Sequence, residues 1–311
     1  MKALITGASS GIGRDMARNL SKRGYNLILV ARDENRLQEL KKELEIYKVN
    51  IEIIAMDLAI EENCKELHKK VKDIDFLINN AGFGDCGDFT KTDLDKEIAM
   101  IHTNIIAYHI LTKLYLIDMK KVNRGKILNV ASIAGFMPGP LMSTYYATKS
   151  YVVRLSESIR EELKKENSKV QISILCPGPV DTNFNKVANV KFHMREANSQ
   201  KVADYAIKQV QKGKFYIIPG IDVKFAKIGA KIAPASIVSK ITYKIQKRKL
   251  QKLETVPIMT SAKTNHVPRK NGLMTAKTYS LSLNEIWVRT NRMKVLIWEN
   301  LFLQSNFLPK F

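Results

Sequence analysis

The chain has 311 residues, of which 45% are hydrophobic and 26% charged, a composition that fits a globular protein and excludes collagen and low-complexity disorder. Its net charge is +21, and residues 212–311 alone hold 19 basic and 4 acidic residues, so the positive excess is concentrated in the C-terminal third. Three scattered cysteines exclude a disulfide framework and a zinc cluster, and neither a signal peptide nor a membrane-spanning stretch is recognisable, so we expect a cytoplasmic protein without a metal.

Short apolar segments alternate with amphipathic helical segments from the start of the chain to about residue 220, which is typical of repeated β-α-β units. The apolar segments are rich in Ile, Leu and Val with little polar alternation, as in a parallel sheet buried on both faces. The predicted strands are Ala3–Thr6, Asn26–Ala31, Ile51–Met56, Phe76–Asn79, Lys126–Val130, Gln171–Leu175 and Phe215–Ile218. We predict an α/β fold with a doubly wound parallel sheet of the Rossmann type, which binds its ligand at the carboxyl ends of the strands.

A glycine-rich turn follows the first predicted strand and reads TGASSGIG from Thr6 to Gly13. Glycines let the backbone approach a phosphate closely, and the N–H groups at the start of the next helix attract a pyrophosphate. A lone glycine cluster is often an ordinary turn, but the order strand, turn, helix favours dinucleotide binding. The spacing resembles the TGxxxGxG turn of the short-chain dehydrogenase/reductase family. The cofactor contacts implied by this resemblance are Gly7, Ser9, Ser10, Gly11, Ile12 and Gly13.

The resemblance extends to about residue 220 through three further segments. They are the Asp57-Leu58 pair after the third strand, the NNAG segment from Asn79 to Gly82, and the Pro-Gly segment that begins at Pro177. In the family these segments contact the adenine and shape the nicotinamide side of the cofactor site. The implied cofactor contacts are Asp57, Leu58, Asn80, Ala81, Gly82, Pro177, Gly178, Val180 and Thr182.

The end of the second strand bears on the choice between the two nicotinamide dinucleotides. An acidic residue there would bind the ribose hydroxyl of NAD and repel a 2′-phosphate, but this chain has Ala31 followed by Arg32. A guanidinium pairs with a phosphate through two hydrogen bonds, so we predict NADP(H) in preference to NAD(H). The alternative is that Arg32 only neutralises a solvated loop beside Asp33 and Glu34.

Tyr145 and Lys149 are four residues apart in a predicted helix and therefore share one of its faces, whereas the adjacent Tyr146 is paired with Ser150. A free phenol has a pKa of about 10, and a nearby ammonium is expected to lower the pKa of Tyr145. The pair resembles the YxxxK motif of the family, in which tyrosine and lysine are catalytic and also contact the cofactor.

Two further catalytic residues are implied by the resemblance. Ser132, which follows the fifth strand, matches the serine that binds the substrate oxygen, and Asn104 matches the asparagine that completes the family's catalytic tetrad. Taken singly, Ser132 could be a helix cap, Tyr145 a core aromatic, Lys149 a surface charge and Asn104 an ordinary polar residue of a helix.

The C-terminal part carries apolar and basic residues at helical spacing over 224–249. Such helices suit peripheral contact with a membrane, and the alternative is that they close the substrate pocket or form a subunit contact. We divide the chain into a Rossmann-fold domain, residues 1–250, and an extension of unknown role, residues 251–311. Since no nucleic-acid-binding module accompanies the charge, we expect no nucleic-acid partner.

Together these patterns predict an NADP(H)-dependent oxidoreductase that interconverts a ketone and a secondary alcohol. A lipophilic or 3-oxoacyl small-molecule substrate is favoured by the apolar residues after Thr182, namely Phe184, Val187, Val190, Phe192 and Met194. The alternatives are a non-catalytic NADP(H)-binding scaffold and a membrane-associated subunit. Helices near Ile98–Lys121 and Tyr145–Lys165 match those through which relatives associate, which implies a homodimer or homotetramer.

Overall fold

The computed structural model of the chain describes residues 1–188 and 196–251. The predictions made for Val190, Phe192 and Met194, and for the extension after residue 251, lie outside the described residues.

Seven parallel strands form the main sheet, and all seven were predicted. They are β1 (Lys2–Thr6), β2 (Asn26–Ala31), β3 (Ile51–Ala55), β4 (Phe76–Asn79), β5 (Lys126–Val130), β6 (Gln171–Leu175) and β9 (Tyr216–Ile217), with β7 (Val180–Asp181) and β8 (Ala197–Asn198) forming a small separate pair. Their spatial order is β3-β2-β1-β4-β5-β6-β9, so the predicted doubly wound Rossmann sheet is confirmed. The chain reverses its winding direction between β3 and β4, which places a crevice at the carboxyl ends of β1 and β4.

The helices connect these strands. They are α1 (Gly11–Ser21), α2 (Glu34–Leu44), α3 (Glu61–Lys70), α4 (Leu94–Ile101), α5 (Ala107–Lys121), α6 (Ser143–Lys165), α7 (Phe184–Val187), α8 (Ser199–Gln211), α9 (Ile221–Ile232) and α10 (Ala235–Gln251). A π-helical segment, His102–Ile106, joins α4 to α5, and a 3-10 turn, Ile133–Phe136, follows β5.

Alternate residues of each strand face two separate hydrophobic clusters. On β1, Leu4 belongs to one cluster, whereas Ala3 and Ile5 belong to the other. The first cluster is completed by α3, α5 and α6, and the second by α1, α2 and α8. Because both faces of the sheet are covered by helices, its strands are almost wholly apolar, and polar groups are concentrated at the strand ends.

The basic segment after β9 forms the two helices α9 and α10. α10 packs on the domain through a buried stripe in which Thr242 Oγ1 donates to the Pro138 carbonyl at 2.9 Å and Gln246 Nε2 donates to the Tyr146 hydroxyl at 2.6 Å. These two hydrogen bonds hold α10 against the loop that contains Pro138 and against α6, both of which lie beside the crevice.

Candidate active site

A cavity of about 420 Å³ lies at the carboxyl ends of the strands. It extends from the glycine turn, past the end of β4, to the start of α6 and the loop after β6. Most of the predicted site residues line it, namely Gly7, Ser9, Ser10, Gly11, Ile12, Arg32, Asp57, Leu58, Asn80, Ala81, Gly82, Ser132, Tyr145, Lys149, Pro177, Gly178, Val180 and Thr182. Residues as far apart in the sequence as Gly7 and Thr182 are therefore brought to one cleft.

The glycine turn approaches its neighbours as closely as backbone atoms permit. Gly7 has a φ of +64°, and a Cβ there would lie 2.8 Å from the Cα of Ala81. Gly11 has a φ of +53°, and its Cβ would lie 2.9 Å from Thr182 Cγ2. A side chain at either position would strain the backbone and collide with these neighbours. Glycine is therefore required at both positions of this turn, whose residues Gly7 to Ile12 we call the cradle.

Two polar side chains hold the turn in place. Thr6 Oγ1 accepts hydrogen bonds from the backbone N–H groups of Asn80 and Ala81, and Asn80 Nδ2 donates to the carbonyls of Thr6 and Gly7 at 3.1 Å. Among the described contacts, the side chain of Ser10 does not cap α1, and Ser10, Gly11 and Ile12 at the start of this helix line the cleft. This cradle fits the pyrophosphate of a dinucleotide.

We expect Gly7→Ala to lower the free energy of unfolding by about 2–4 kcal/mol and to abolish dinucleotide binding, because the new methyl group adds a steric overlap to the strain of a positive φ. Urea unfolding and fluorescence titration with NADPH measure the two effects. Gly213→Ala is the matched control, since Gly213 has a φ of +68° but a Cβ there meets nothing within 4 Å of the described structure. If both variants bound NADPH normally, the cradle would not be the pyrophosphate site.

Two arginines lie at the end of the cavity beside β2. Arg32 and Arg36 both line it, as do Asp33 and the Asp57-Leu58 pair. Arg36 Nε lies 3.2 Å from Asp33 Oδ2, so the acidic residue that directly follows Arg32 is already paired with a guanidinium. The two guanidiniums and the two carboxylates balance in charge, but among the described residues Arg32 forms no ion pair, so it can bind an anion.

Lys149 is buried, with 4% of its surface exposed. Its Nζ donates to the Val130 carbonyl at 3.0 Å and lies 5.3 Å from the ring centroid of Tyr108 and 5.9 Å from that of Tyr145. Loss of hydration lowers the pKa of Lys149 to about 8. The interpretation of Lys149 as a solvated surface charge is therefore wrong.

The expected effect of Lys149 on Tyr145 is not found. Burial raises the pKa of the Tyr145 phenol, and a hydrogen bond with Ser132 opposes this only in part. The ammonium is directed at the Val130 carbonyl and not at the phenol oxygen, which explains why helical spacing alone gave the wrong direction. Tyr145 is thus a neutral hydrogen-bond donor in this state.

Ser132 combines a structural role with a position in the wall of the cavity. Its Oγ accepts from the N–H of Ala134 at 3.1 Å and so caps the 3-10 turn, as the alternative interpretation proposed. The same side chain lines the cleft beside Tyr145. Because capping uses a lone pair of the oxygen, the O–H remains available as a donor.

Two predicted site residues stand behind the wall of the cavity and do not line it. A Cβ on Gly13 would overlap the Gly7 carbonyl, so this glycine allows α1 to pack on the turn. Asn104 is fully buried in the π-helical segment, where its Nδ2 donates to the carbonyl of Phe83 at 2.9 Å and to Thr148 Oγ1 at 3.1 Å. Its Oδ1 accepts from the N–H of Phe83, so the side chain fixes the segment after β4.

Sequence reasoning missed several residues of the cleft. Arg36 lies in the first turn of α2, four residues after Arg32, and this nearness in the sequence could have identified it. Tyr146 also lines the cavity, together with Met142, Phe184 and Val187, and makes the end beside Tyr145 largely apolar. No sequence signal linked Tyr146 to Gln246, which is 100 residues away.

Comparison with known proteins gives matches across the same region. A profile of the short chain dehydrogenase family matches residues 1–191. An uncharacterized oxidoreductase of Staphylococcus epidermidis is 32% identical over 214 residues, covering 67% of this chain and 90% of that protein. The very-long-chain 3-oxoacyl-CoA reductase of Homo sapiens is 34% identical over 196 residues, covering 60% of this chain and 61% of that protein.

Two solved structures have a similar fold. The bulky-bulky ketone specific alcohol dehydrogenase of Comamonas testosteroni is 26% identical, with a TM-score of 0.65, covering 84% of this chain and 97% of that one. An alcohol dehydrogenase of Thermococcus sibiricus complexed with 5-hydroxy-NADP is 26% identical, with a TM-score of 0.61, covering 70% of this chain and 94% of that one.

Proposed function

The chain belongs to the short-chain dehydrogenase/reductase family and is an oxidoreductase, and on that premise we propose that it uses NADPH to reduce the carbonyl group of a lipophilic ketone or 3-oxoacyl compound. The observation that supports this most is the meeting of Ser132, Tyr145 and Lys149 in one cleft with the glycine cradle. Similarity to a 3-oxoacyl-CoA reductase and to a dehydrogenase of bulky ketones agrees with the apolar end of the cleft beside Tyr145.

The dinucleotide is assigned to the cleft by the chemistry of its lining. The cradle between Gly7 and Ile12 would hold the pyrophosphate, Asp57 and Leu58 the adenine, and Lys149 with the segment Asn80 to Gly82 the ribose of the nicotinamide. The remaining contacts to the nicotinamide side would come from Pro177, Gly178, Val180 and Thr182. When bound, the dinucleotide supplies or accepts a hydride.

The chain's own residues then handle the substrate oxygen. Ser132 donates its O–H to the carbonyl, which stabilises the charge that develops on this oxygen. Tyr145 donates its phenolic proton to the same oxygen. Burial raises the pKa of Tyr145, so the phenol is protonated at neutral pH, as a proton donor must be. Asn104 acts as a positioning residue by holding the segment at Phe83.

NADP(H) rather than NAD(H) is supported by the two arginines beside Ala31. Arg32 and Arg36 would bind a 2′-phosphate, and Asp33 would repel it less because Arg36 already pairs with this carboxylate.

We expect Arg32→Glu to weaken NADPH binding about 10- to 100-fold and to leave NADH binding nearly unchanged, since only NADPH carries the 2′-phosphate. Titration of both dinucleotides measures this ratio. Lys42→Glu, which makes the same charge change at an exposed position outside the cavity on α2, is expected to alter neither affinity. Equal losses for NADPH and NADH would refute the assignment.

The catalytic proposal is tested by incubating the full chain with NADPH and following absorbance at the nicotinamide band. The substrate panel should pair short ketones with long-chain ketones and with 3-oxoacyl thioesters. We expect oxidation of NADPH with the long-chain members. Binding of NADPH without turnover of any carbonyl compound would instead favour the non-catalytic scaffold, which the names of the relatives do not support.

A homodimer or homotetramer is proposed through α5 and α6. His109 Nδ1 lies 2.7 Å from the Tyr151 hydroxyl and links the two helices, while Ile98 and Ile117 leave apolar surface exposed on α4 and α5. Light scattering coupled to size exclusion measures the mass in solution, and a strictly monomeric protein would contradict this proposal.

A further inference from the structure

α9 carries an apolar stripe on its outer face. Ile221, Phe225, Ile228 and Ile232 recur at positions i, i+4, i+7 and i+11, so they share one face of the helix. They are between 53% and 79% exposed. Single exposed apolar side chains are common on proteins, but four on one face of a short helix mark an interaction surface.

α10 repeats this arrangement. Ile237, Ile241 and Ile245 are each at least 37% exposed, whereas Thr242 and Gln246 are buried against the domain. The inner face of α10 consists of Val238, Thr242 and Gln246, whereas its isoleucines face outward. Internal packing within the described residues does not account for the apolar faces.

Basic side chains flank the apolar faces. Between 221 and 248 the chain holds seven basic residues and one acidic residue, Asp222. Lys224, Lys231 and Lys240 are exposed, whereas Lys227 turns inward over the ring of Tyr216. The outer surface of the two helices is therefore both apolar and cationic.

We propose that α9 and α10 dock the protein on the surface of an anionic lipid bilayer, with the isoleucine faces in the interface and the lysines at the headgroups. An apolar stripe with flanking lysines is what interfacial helices present to such membranes. A second copy of the chain would bring two cationic surfaces together, which opposes pairing through the same faces. Within the described part of the chain, no helix has the length and hydropathy needed to cross a bilayer, so the contact is peripheral.

The inner sides of the same helices support the cleft. Val223 of α9 packs behind Gly178, where its Cγ2 would lie 2.9 Å from a Cβ on that glycine, and Gln246 of α10 binds the hydroxyl of Tyr146. Both Gly178 and Tyr146 line the cavity. Docking would thus place a lipophilic substrate next to the cleft, a consequence that rests on the proposed reductase function.

Sedimentation of the full chain with vesicles tests the docking without any need for turnover. We expect binding to vesicles of equal parts phosphatidylglycerol and phosphatidylcholine, weak binding to phosphatidylcholine alone, and loss of binding as salt is added. Phe225→Ser combined with Ile228→Ser should weaken binding at least about 10-fold. Lys224→Ala combined with Lys231→Ala should weaken it about 25-fold, or about five-fold for each lysine.

Matched controls use equally exposed residues elsewhere on the domain. Ile46→Ser with Ile60→Ser, and Lys69→Ala with Lys70→Ala, are expected to bind vesicles like the unaltered chain. Absence of binding to anionic vesicles would overturn the proposal. Binding that persists in both α9 variants would also overturn it, because the contact would then lie elsewhere in the chain. A dimer lost in the Phe225 variant, without vesicle binding, would assign the surface to a second copy.

Discussion

Tyr145→Phe is expected to lower kcat at least about 1,000-fold while the Kd of NADPH stays within about two-fold of the unaltered value. The substitution removes only the phenolic O–H, which we assign as the proton donor to the substrate oxygen. The ring keeps its packing against Phe184, whose centroid lies 5.2 Å away, so the shape of the cleft should be retained. Steady-state turnover and fluorescence titration of NADPH measure the two quantities.

Tyr151→Phe is the matched control for this prediction, because it removes the same group from the same helix outside the cavity. Among the described contacts, loss of the Tyr151 hydroxyl breaks only the hydrogen bond to His109, so kcat should change less than about two-fold. A Tyr145→Phe variant that turned over at a normal rate would exclude this phenol as the proton donor.

Lys149→Met is expected to abolish turnover and, in the same protein, to raise stability. Methionine fills the buried site without a charge, whereas the native ammonium is desolvated strongly enough to lower its pKa from 10.5 to about 8. That difference corresponds to about 3 kcal/mol at neutral pH. Loss of the hydrogen bond to Val130 will offset about 1 kcal/mol of this gain.

The pH dependence of this stability difference follows from the lowered pKa. Between pH 8 and 10.5 the unfolded chain binds the Lys149 proton and the folded chain does not, so the unaltered protein gains stability as the pH rises through this window. The advantage of Lys149→Met should therefore be largest below pH 8 and should vanish near pH 10.5. Urea unfolding at a series of pH values measures it.

Lys113→Met serves as the control, since Lys113 is an exposed lysine of α5 for which no such gain is expected. If Lys149→Met were less stable than the unaltered protein at pH 7, the native ammonium would be stabilised in its site and not strained by burial.

The sheet was predictable because its strands are buried on both faces. A strand such as β1 contains almost only apolar residues, and this composition sets it apart from the amphipathic helices on either side. Its end at Thr6 was also clear, since the glycine turn begins there. The glycine turn and the YxxxK spacing then located opposite ends of the cleft.

The protonation states of Tyr145 and Lys149 were not predictable, because they depend on how deeply each side chain is buried and on where the ammonium points. Neither can be deduced from the distance between the two residues in the sequence. Helical spacing places Lys149 near Tyr145, and the structure agrees, with Nζ 5.9 Å from the ring centroid. Spacing does not reveal that the ammonium is bound by the carbonyl of Val130, a residue of β5. Burial is therefore the main cause of both pKa shifts: it raises the pKa of Tyr145 and lowers the pKa of Lys149.

The packing of α10 was also not predictable, because it depends on partners that are distant in the sequence. Its isoleucines suggest the buried face, yet Thr242 and Gln246 are buried instead because the carbonyl of Pro138 and the hydroxyl of Tyr146 provide their hydrogen-bond partners. These partners lie about 100 residues earlier in the chain. Only the fold brings them to the helix.

The most direct measurement is the transfer of deuterium from NADPH labelled at the hydride position to a long-chain ketone, followed by mass spectrometry of the product. The unaltered chain should give an alcohol with deuterium on its carbinol carbon, and Tyr145→Phe should give almost none. Saturation of the protein with NADPH, together with no labelled alcohol from any ketone or 3-oxoacyl compound tried, would contradict the account.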